Sequence, residues 1–534
     1  MKFNIKFFTL ITFAAILLAS CAKKLDIFPT NGKSSAQIYG SVDGYKSVLA
    51  KLYSTLSLTG ASGPAGSPDI GGGLDEGSQV AFIRSYFNLQ ELPTDEAVVA
   101  WNDQTIWDFH KLSWTPGDPF LKGAYARPIW NITMINEYLR QATDAALAAN
   151  GISGADATSV KNTRGEARFL RAFNYWVMLD LFGKSTFITE EDGVGYFLPK
   201  EISRKDLFTY IENELKTAET ELAAVRTAEY GRVDQGAAWA LLARLYLNAG
   251  VYTGTTRYND AITYANKVIG GGYSLNPNYR QLFMADNDRT SKNEFIFVAA
   301  CDGLNTKSFG NTTFLIHAPA GADNAEFGAN NGWFGYRSTR AFAEKWPDLS
   351  GNTDKRAMFK TSAFNATLAQ AEITDISDFS NGLHVNKFRN IRADGAHVSD
   401  PNSEFADIDF PIIRLPEMYL IYAEAVLRGG TGGNSGTALG YINAIRSRAG
   451  AGTIPAGELT LQFLLDERAR ELYWEGHRRT DLVRYNLLTT GTYLWPWKGG
   501  VASGTAVDSK FNIYPIPAAN ITSNNNLTQN DGYK

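Results

Sequence analysis

One segment of the sequence combines a tryptophan with hydrogen-bonding side chains. Arg84 precedes Trp101, Asn102 and Gln104 in a stretch that is predicted to be loop-like. Sugars present apolar C–H faces that stack on aromatic rings, and hydroxyls that pair with guanidinium and amide groups. The segment therefore predicts a carbohydrate-binding surface. The competing interpretation is a polar cap over tryptophans that belong to the core.

A second aromatic segment lies more than two hundred residues later. Trp333 and Tyr336 stand among glycines, a pattern that predicts a surface turn with exposed rings. Phe309, between a serine and a glycine, is predicted to join the same surface or to anchor a strand end. We expect these rings to extend the sugar-binding surface.

Catalytic chemistry has weaker support in the sequence. Asp95-Glu96 and Asp407-Asp409 are acidic pairs, but such pairs are more often solvated or capping residues, and among 55 acidic residues some pair falls at glycosidase distance by chance. We predict a binding protein without catalytic residues. The five histidines also lack the spacing of a zinc or nucleophile site; they are His110, His317, His384, His397 and His477.

A short acidic run offers oxygen ligands for a metal ion. Asp286 and Asp288 flank an asparagine, and such closely spaced hard oxygens suit calcium. The run lacks the glutamate-terminated loop of an EF-hand, and short Asp/Asn runs are usually turns. We predict no required cofactor, with structural calcium at this pair as the one candidate.

Composition excludes one class of partner. The chain of 534 residues carries a net charge of −4, whereas a nucleic-acid-binding protein needs a basic face. Aromatic residues make up 13% of the sequence, which suits both a large core and sugar binding. We therefore predict no nucleic-acid partner.

The N-terminus is typical of an exported lipoprotein. A cationic start and a short apolar run, residues 1–20, predict a signal peptide, and Leu18-Ala19-Ser20-Cys21 resembles the lipobox in which the cysteine accepts lipid. Residues 21–30 then form a lipidated tether. An ordinary secretory peptide with a chance cysteine is the alternative. Cys301, which follows an apolar run, is predicted to be a buried small hydrophobe.

Hydrophobic periodicity predicts a mainly α fold. Small alanines within two segments, 237–247 and 258–265, look like the paired helices of tetratricopeptide units, and 417–428 with 438–448 and 163–182 with 203–224 form similar pairs. A charged helix is predicted over 466–484, with ion pairs along its surface. The other helices are predicted at 42–58, 124–147, 163–182, 203–224, 235–249 and 258–269.

Changes in residue composition divide the mature chain into three parts. Residues 31–272 read as an N-terminal helical body that carries the sugar-binding loop. Residues 273–410 are rich in Gly, Asn, Asp and Thr, with strand-like runs at 294–300 and 313–317, and predict a loop-rich insertion with short strands. Residues 411–534 form a C-terminal helical region.

Five motifs in order resemble one family. They are ELPTDE at 91–96, FPIIRLPEMYLIYAEA at 410–425, AIRSRAG at 444–450, ERARELYWEGHRRTDLVR at 467–484 and YPIP at 514–517. The pattern is similar to the SusD/RagB family of Bacteroidetes outer-membrane lipoproteins, and most similar in its motifs to the starch-binding branch of that family.

The resemblance implies a fold, a partner and a location. It implies a SusD-like helical body, lipid-anchored in the outer membrane and exposed at the cell surface. There it would capture oligosaccharide and deliver it to a SusC-like TonB-dependent transporter. The similarity to the starch-binding branch implies that this ligand is starch or a related glucan. A receptor for another glycan or for peptide, a surface glycosidase and a purely structural lid are the alternatives.

The resemblance also carries residues over to this sequence. The aromatic arc and polar contacts of the starch-binding branch correspond here to Arg84, Trp101, Gln104 and Trp333. Phe309 is a looser match, since a tyrosine at this position would supply a hydroxyl that phenylalanine lacks. Asp286 and Asp288 lie where that branch holds calcium.

Overall fold

The computed structural model describes residues 34–61, 63–64, 68–103 and 105–534. The predicted signal peptide, Cys21 and its tether, and Gln104 lie outside the described residues. Within them the chain is mainly helical, as predicted. The helices are α1 Ser35–Tyr39, α2 Val42–Ser54, α3 Phe82–Glu91, α4 Ile106–Lys111, α5 Pro119–Gln141, α6 Asp144–Ala149, α7 Gly154–Lys161, α8 Arg164–Phe182, α9 Arg204–Glu221, α10 Gln235–Leu247, α11 Ala249–Thr253, α12 Tyr258–Ile269, α13 Asn287–Thr290, α14 Thr312–His317, α15 Asn324–Phe327, α16 Arg340–Ala343, α17 Leu415–Leu427, α18 Ser435–Arg448, α19 Leu461–Leu472, α20 Arg478–Arg484 and α21 Ala518–Ser523.

Short strands form three antiparallel pairs within this part of the chain. The longest pair joins β4 (Phe295–Ala299) to β6 (Phe410–Arg414), with Phe295 opposite Arg414, and so links the predicted insertion to the C-terminal region. The strands are β1 Val98–Val99, β2 Ser185–Phe187, β3 Lys200–Ile202, β4 Phe295–Ala299, β5 Tyr336–Arg337 and β6 Phe410–Arg414. Among the described residues, 3-10 helices lie at Tyr279–Phe283, Ala456–Glu458, Lys498–Gly500 and Ser509–Asn512.

Helix pairs build the body. Helix α8 packs on α9, α10 on α12, and α17 on α18, which are the three pairs that the sequence predicted. Helix α12 also packs on α17, so the N-terminal and C-terminal pairs are continuous. Because α10 is rich in buried alanine, its neighbours approach closely. One hydrophobic core runs through all three predicted segments of the sequence.

Capping explains where several predicted helices begin and end. The helix predicted over 124–147 instead begins at Pro119, where the Asp118 carboxylate accepts backbone N–H groups, and stops at Gln141. Thr143 then caps α6. The strand predicted over 313–317 is wrong: these residues lie in α14, whose first turn is capped by the Asn311 side chain. The strand predicted at 294–300 is confirmed as β4.

The charged helix predicted over 466–484 is two helices. Helix α19 ends at Leu472, Trp474 and Gly476 adopt positive φ angles of 61° and 83°, and α20 begins at Arg478. Most charges of the segment are buried and bind partners elsewhere in the chain. Arg478, for example, donates to Asp95 over 2.7 Å.

Three acidic residues of the predicted solvated pairs are buried. Asp95, Glu96 and Asp409 are at most 3% exposed, so the solvated interpretation is wrong for them. Asp95 binds Arg478, and Glu96 accepts the backbone N–H of Trp474. Asp407 does accept backbone N–H groups, from Gly303 and Ser399, as a capping residue should.

Within the described part of the chain, none of the helices combines the length and apolar character needed to cross a bilayer. Cys301 is buried, which confirms its predicted packing role.

Glu91 gives the fold a pH dependence that can be measured. Burial raises the pKa of its carboxyl from 4.5 to about 7. Burial and the nearby Glu91 carboxyl also raise the pKa of Glu96. The folded chain therefore holds more protons than the unfolded chain between these values, and stability falls as pH rises through that window, by about 3 kcal/mol at most for one group. We expect Glu91→Gln to become progressively more stable relative to wild type from pH 5 to pH 8 in urea unfolding.

The matched control is Glu191→Gln at an exposed position, which should leave the pH profile of wild type unchanged. Parallel profiles for Glu91→Gln and wild type would contradict the assignment of the effect to Glu91.

Candidate functional site

Pairing of two strands brings the two aromatic segments together. Trp101 follows β1 and Trp333 precedes β5, and the register places Val99 opposite Tyr336. The indole Nε1 of Trp101 donates to the Trp333 carbonyl over 3.1 Å. The two indole centroids lie 6.2 Å apart with the rings inclined by 54°, and both rings are half-buried. The rings form an angled platform, which we call the tryptophan platform.

His317 supports this platform from behind. Its ring stacks on Trp333 at 4.9 Å and 17°, and its backbone carbonyl accepts the Trp333 N–H over 2.8 Å. The two imidazole nitrogens lie 2.8 Å from the carbonyl oxygens of Asn331 and Glu404. His317 is therefore fixed on both edges. Its spacing in the sequence matches neither a metal site nor a catalytic site, and its position against Trp333 depends on contacts that only the fold creates.

Arg84 lies against the rings from a helix. The prediction of a loop at this residue is wrong, since Arg84 belongs to α3 and is 8% exposed. Its guanidinium carbon lies 5.5 Å from the Trp101 ring centroid, 5.9 Å from that of Trp333 and 4.9 Å from that of Phe314. A cation at these distances is attracted by the ring faces. Its Nε is buried and lacks a hydrogen-bond partner among the described residues.

Phe309 continues the aromatic surface beyond Trp333. Its ring is half-buried, with its centroid 6.1 Å from the Trp333 ring and 5.3 Å from that of Phe405. The next residue, Gly310, has no room for a side chain, because a Cβ there would lie 2.0 Å from the Cβ of Ala81. The structure thus brings Arg84, Trp101, Phe309 and Trp333 into one cluster.

Tyr336 belongs to the core, and the prediction that its ring is exposed is wrong. The side chain is 0% exposed, and its hydroxyl donates to Asn88 Oδ1 over 2.6 Å. Its ring packs on Trp101 at 5.1 Å, so it supports the platform from below. Strand β5 turns this ring inward, a direction that the flanking glycines did not indicate. Asn102 is exposed beside Trp101, as is Asp103, a carboxylate that the predicted site left out.

The two carboxylates considered for calcium, Asp286 and Asp288, lie in different environments. The buried Asp286 carboxylate accepts the Ala393 N–H over 2.9 Å, whereas Asp288 is about half exposed beside Arg289. Calcium needs six to eight oxygens, and the described residues contain no group of three or more His, Cys, Asp or Glu side chains arranged for a metal. Calcium at Asp286 and Asp288 stays a prediction.

Gly335 makes room for the platform, which gives a direct test of its geometry. A Cβ on this residue would lie 2.2 Å from the Trp101 ring, so Gly335→Ala must displace the indole. We expect the variant to lose about 10-fold to 100-fold in affinity for its ligand, equivalent to about 1.4 to 3 kcal/mol, in calorimetric titration.

Gly440→Ala is the matched control, since a Cβ at Gly440 meets nothing within 4 Å. Equal affinities for the two alanine variants would show that the position of the Trp101 ring does not determine binding.

Known proteins share this fold and much of this sequence. The SusD family profile matches residues 246–533. The chain is 39% identical to the starch-binding protein SusD of Bacteroides thetaiotaomicron over 98% of each chain. In structure, a SusD superfamily protein from Parabacteroides distasonis matches with a TM-score of 0.70, 21% identity, and coverage of 92% of this chain and 99% of that one. A laminarin-binding SusD-like protein matches with a TM-score of 0.68 at 20% identity, with the same coverage. These relatives are named as binding proteins and superfamily members, not as enzymes.

Proposed function

The chain belongs to the SusD family, and from that premise we propose that it is a glycan-binding lipoprotein that captures α-glucan chains on the tryptophan platform. The observation that carries the proposal is the angled pair of half-buried indoles, 6.2 Å apart and inclined by 54°. An α-1,4-linked glucan curves along its length, so successive glucose rings turn relative to one another. Two inclined ring faces suit such a curved chain better than a flat one.

Polar groups beside the rings complete the proposed site. Arg84 offers guanidinium donors between the indoles and Phe314, and Asn102 and Asp103 are exposed next to Trp101. Sugar hydroxyls both donate and accept hydrogen bonds, so a donor and acceptor set of this kind fixes the orientation of a stacked glucose. Phe309 adds an apolar face at the far end of Trp333.

The wider role rests on family membership. We propose that lipid on Cys21 anchors the chain in the outer membrane with its platform at the cell surface. From there it delivers bound oligosaccharide to a SusC-like TonB-dependent transporter. Structural calcium near Asp286 and Asp288 is part of the same proposal.

Calorimetric titration of the chain from residue 22 onward tests the substrate. We expect saturable heat with maltotriose and amylose, and little with laminarin, a β-glucan. Heat with laminarin alone would replace the proposal with capture of a different glucan, for which the 20% identical laminarin-binding relative is the precedent. Release of reducing ends from bound amylose would instead favour the glycosidase alternative.

A further inference from the structure

Two adjoining cavities open beside residues 229–232, apart from the tryptophan platform. Their volumes are about 840 Å³ and 280 Å³, and both are lined by Tyr230, Arg232 and Val298. Ligand sites occupy roughly 300 to 1,000 Å³, so the larger cavity has room for several sugar rings. We call the larger cavity the tyrosine groove because four tyrosines line it: Tyr45, Tyr53, Tyr138 and Tyr230.

Protein acceptors already hold the hydroxyls of the three tyrosines on α2 and α5. Their rings are therefore fixed, and those of Tyr45 and Tyr138 are almost completely buried, at 1% exposure each. The pairs are Tyr45 with the Gln141 carbonyl at 2.8 Å, Tyr53 with Glu166 Oε2 at 2.6 Å, and Tyr138 with Thr163 Oγ1 at 2.5 Å. Exposed Lys46, Asn162 and Arg232 supply polar groups that also line the groove.

Tyr230 is the exposed ring of this set. It is 38% exposed, yet its hydroxyl donates over 2.6 Å to Asp409 Oδ2, and the Asp409 side chain is buried. Asp409 is itself fixed, since its other oxygen accepts the Cys301 N–H over 2.7 Å. A ring that is exposed and immobilised loses little conformational entropy when a ligand stacks on it.

The groove and the platform are close along the chain. Thr306 lines the groove, and Phe309 is three residues further on at the edge of the platform. Three residues span at most about 11 Å between Cα atoms, a distance comparable to two or three glucose units. A polymer held by the platform can therefore reach the groove, whereas a short oligosaccharide fills only one of them.

We infer that the tyrosine groove is a second binding site for the same polysaccharide, in which Tyr230 provides the stacking face. This inference rests on the proposed function. Its consequence is selectivity for length: two linked sites raise the affinity for a polymer through effective concentration, but leave the affinity for a short oligosaccharide at the platform unchanged.

The experiment compares amylose with maltotriose on the chain from residue 22 onward. Tyr230→Ala should weaken amylose binding at least about 5-fold and leave maltotriose affinity within 2-fold of wild type. Tyr230→Phe loses the hydrogen bond to Asp409 but keeps the ring, so it should retain clearly more amylose affinity than Tyr230→Ala does. Tyr196→Ala, which truncates a 94% exposed tyrosine elsewhere, is the surface control.

The outcomes separate the two proposals. If wild type binds neither sugar, the proposed function fails. If wild type binds maltotriose and Tyr230→Ala leaves amylose affinity unchanged, only the second site is overturned. Equal loss of amylose affinity in the Ala and Phe variants would assign the effect to the Asp409 hydrogen bond and would also overturn the inference.

Discussion

Replacing Trp101 and Trp333 together with alanine is expected to remove maltotriose binding from the range that calorimetry detects. Each ring supplies one face of the tryptophan platform, and a residue at the centre of a binding site costs about 2 kcal/mol or more when truncated. This corresponds to about 30-fold in affinity for each ring. Loss of both rings should therefore lower the affinity about 1,000-fold. Each single variant should have an affinity between those of wild type and the double variant.

The structure also predicts what the double variant does to folding. Both indoles are half-buried, and Trp101 packs on Tyr336 at 5.1 Å. Truncation therefore removes some core contact, which we expect to cost about 1 to 2 kcal/mol per residue. Loss of binding must be separated from this loss of stability.

Trp239→Ala is the matched control for that purpose. Trp239 is half-buried, and its Nε1 donates to Oε1 of Glu219 on α9 over 2.7 Å. Both residues are far along the chain from the residues of the platform. The control should lose about as much stability as either single tryptophan variant of the platform, and it should keep wild-type affinity for maltotriose. If it loses as much affinity as the double variant, binding depends on overall stability and the platform is not the site.

Local patterns in the sequence predicted the helical pairs because the information lies within each segment. Helix α12 begins and ends at the predicted residues Tyr258 and Ile269, since its apolar spacing is regular and a glycine follows it. Helix α3 escaped prediction because Ala81, at its N-cap, makes no side-chain cap. Arg84 was consequently assigned to a loop, and its contact with sugar stays a prediction.

The platform itself depends on contacts between distant segments. Two residues of β1 pair with two of β5 across more than 230 positions, and strands this short carry no periodic signal. The same pairing turns Tyr336 inward. Trp101 and Trp333 could be chosen by residue type and family motif, whereas the support from His317 and the space above Gly335 follow only from the fold.

Arg414→Met is expected to destabilise the chain by about 3 to 5 kcal/mol, the usual cost of removing one partner from a buried ion pair. Arg414 is 1% exposed at the end of β6. Its guanidinium donates to Glu475 over 2.7 Å, to Glu294 over 3.0 Å and to Glu471 over 2.5 Å. Methionine fills a similar volume but leaves three buried carboxylates with less positive charge.

The pH dependence of that loss distinguishes charge from packing. Burial alone would raise the pKa of Glu471, but Arg448, Arg414 and Arg356 lower it to about 2 in the folded chain. Without Arg414 the folded-state pKa of this carboxyl rises, so the folded variant binds more protons than folded wild type at acidic pH. The stability deficit of Arg414→Met should therefore shrink as pH falls from about 5 towards 3, between the ordinary glutamate pKa of 4.5 and the folded-state value of about 2.

Arg340→Met is the surface counterpart for this measurement. Arg340 pairs with Glu344 over 2.7 Å and also with Glu372, but its side chain is 42% exposed. Water screens such pairs, so we expect a much smaller loss of stability than for Arg414→Met. A similar small loss for Arg414→Met in urea unfolding would mean that the buried network contributes no more than a surface pair. A deficit of 3 kcal/mol that does not change with pH would assign the loss to packing. The expected result instead makes Arg414 the charge that allows Glu294, Glu471 and Glu475 to stay ionised in the core.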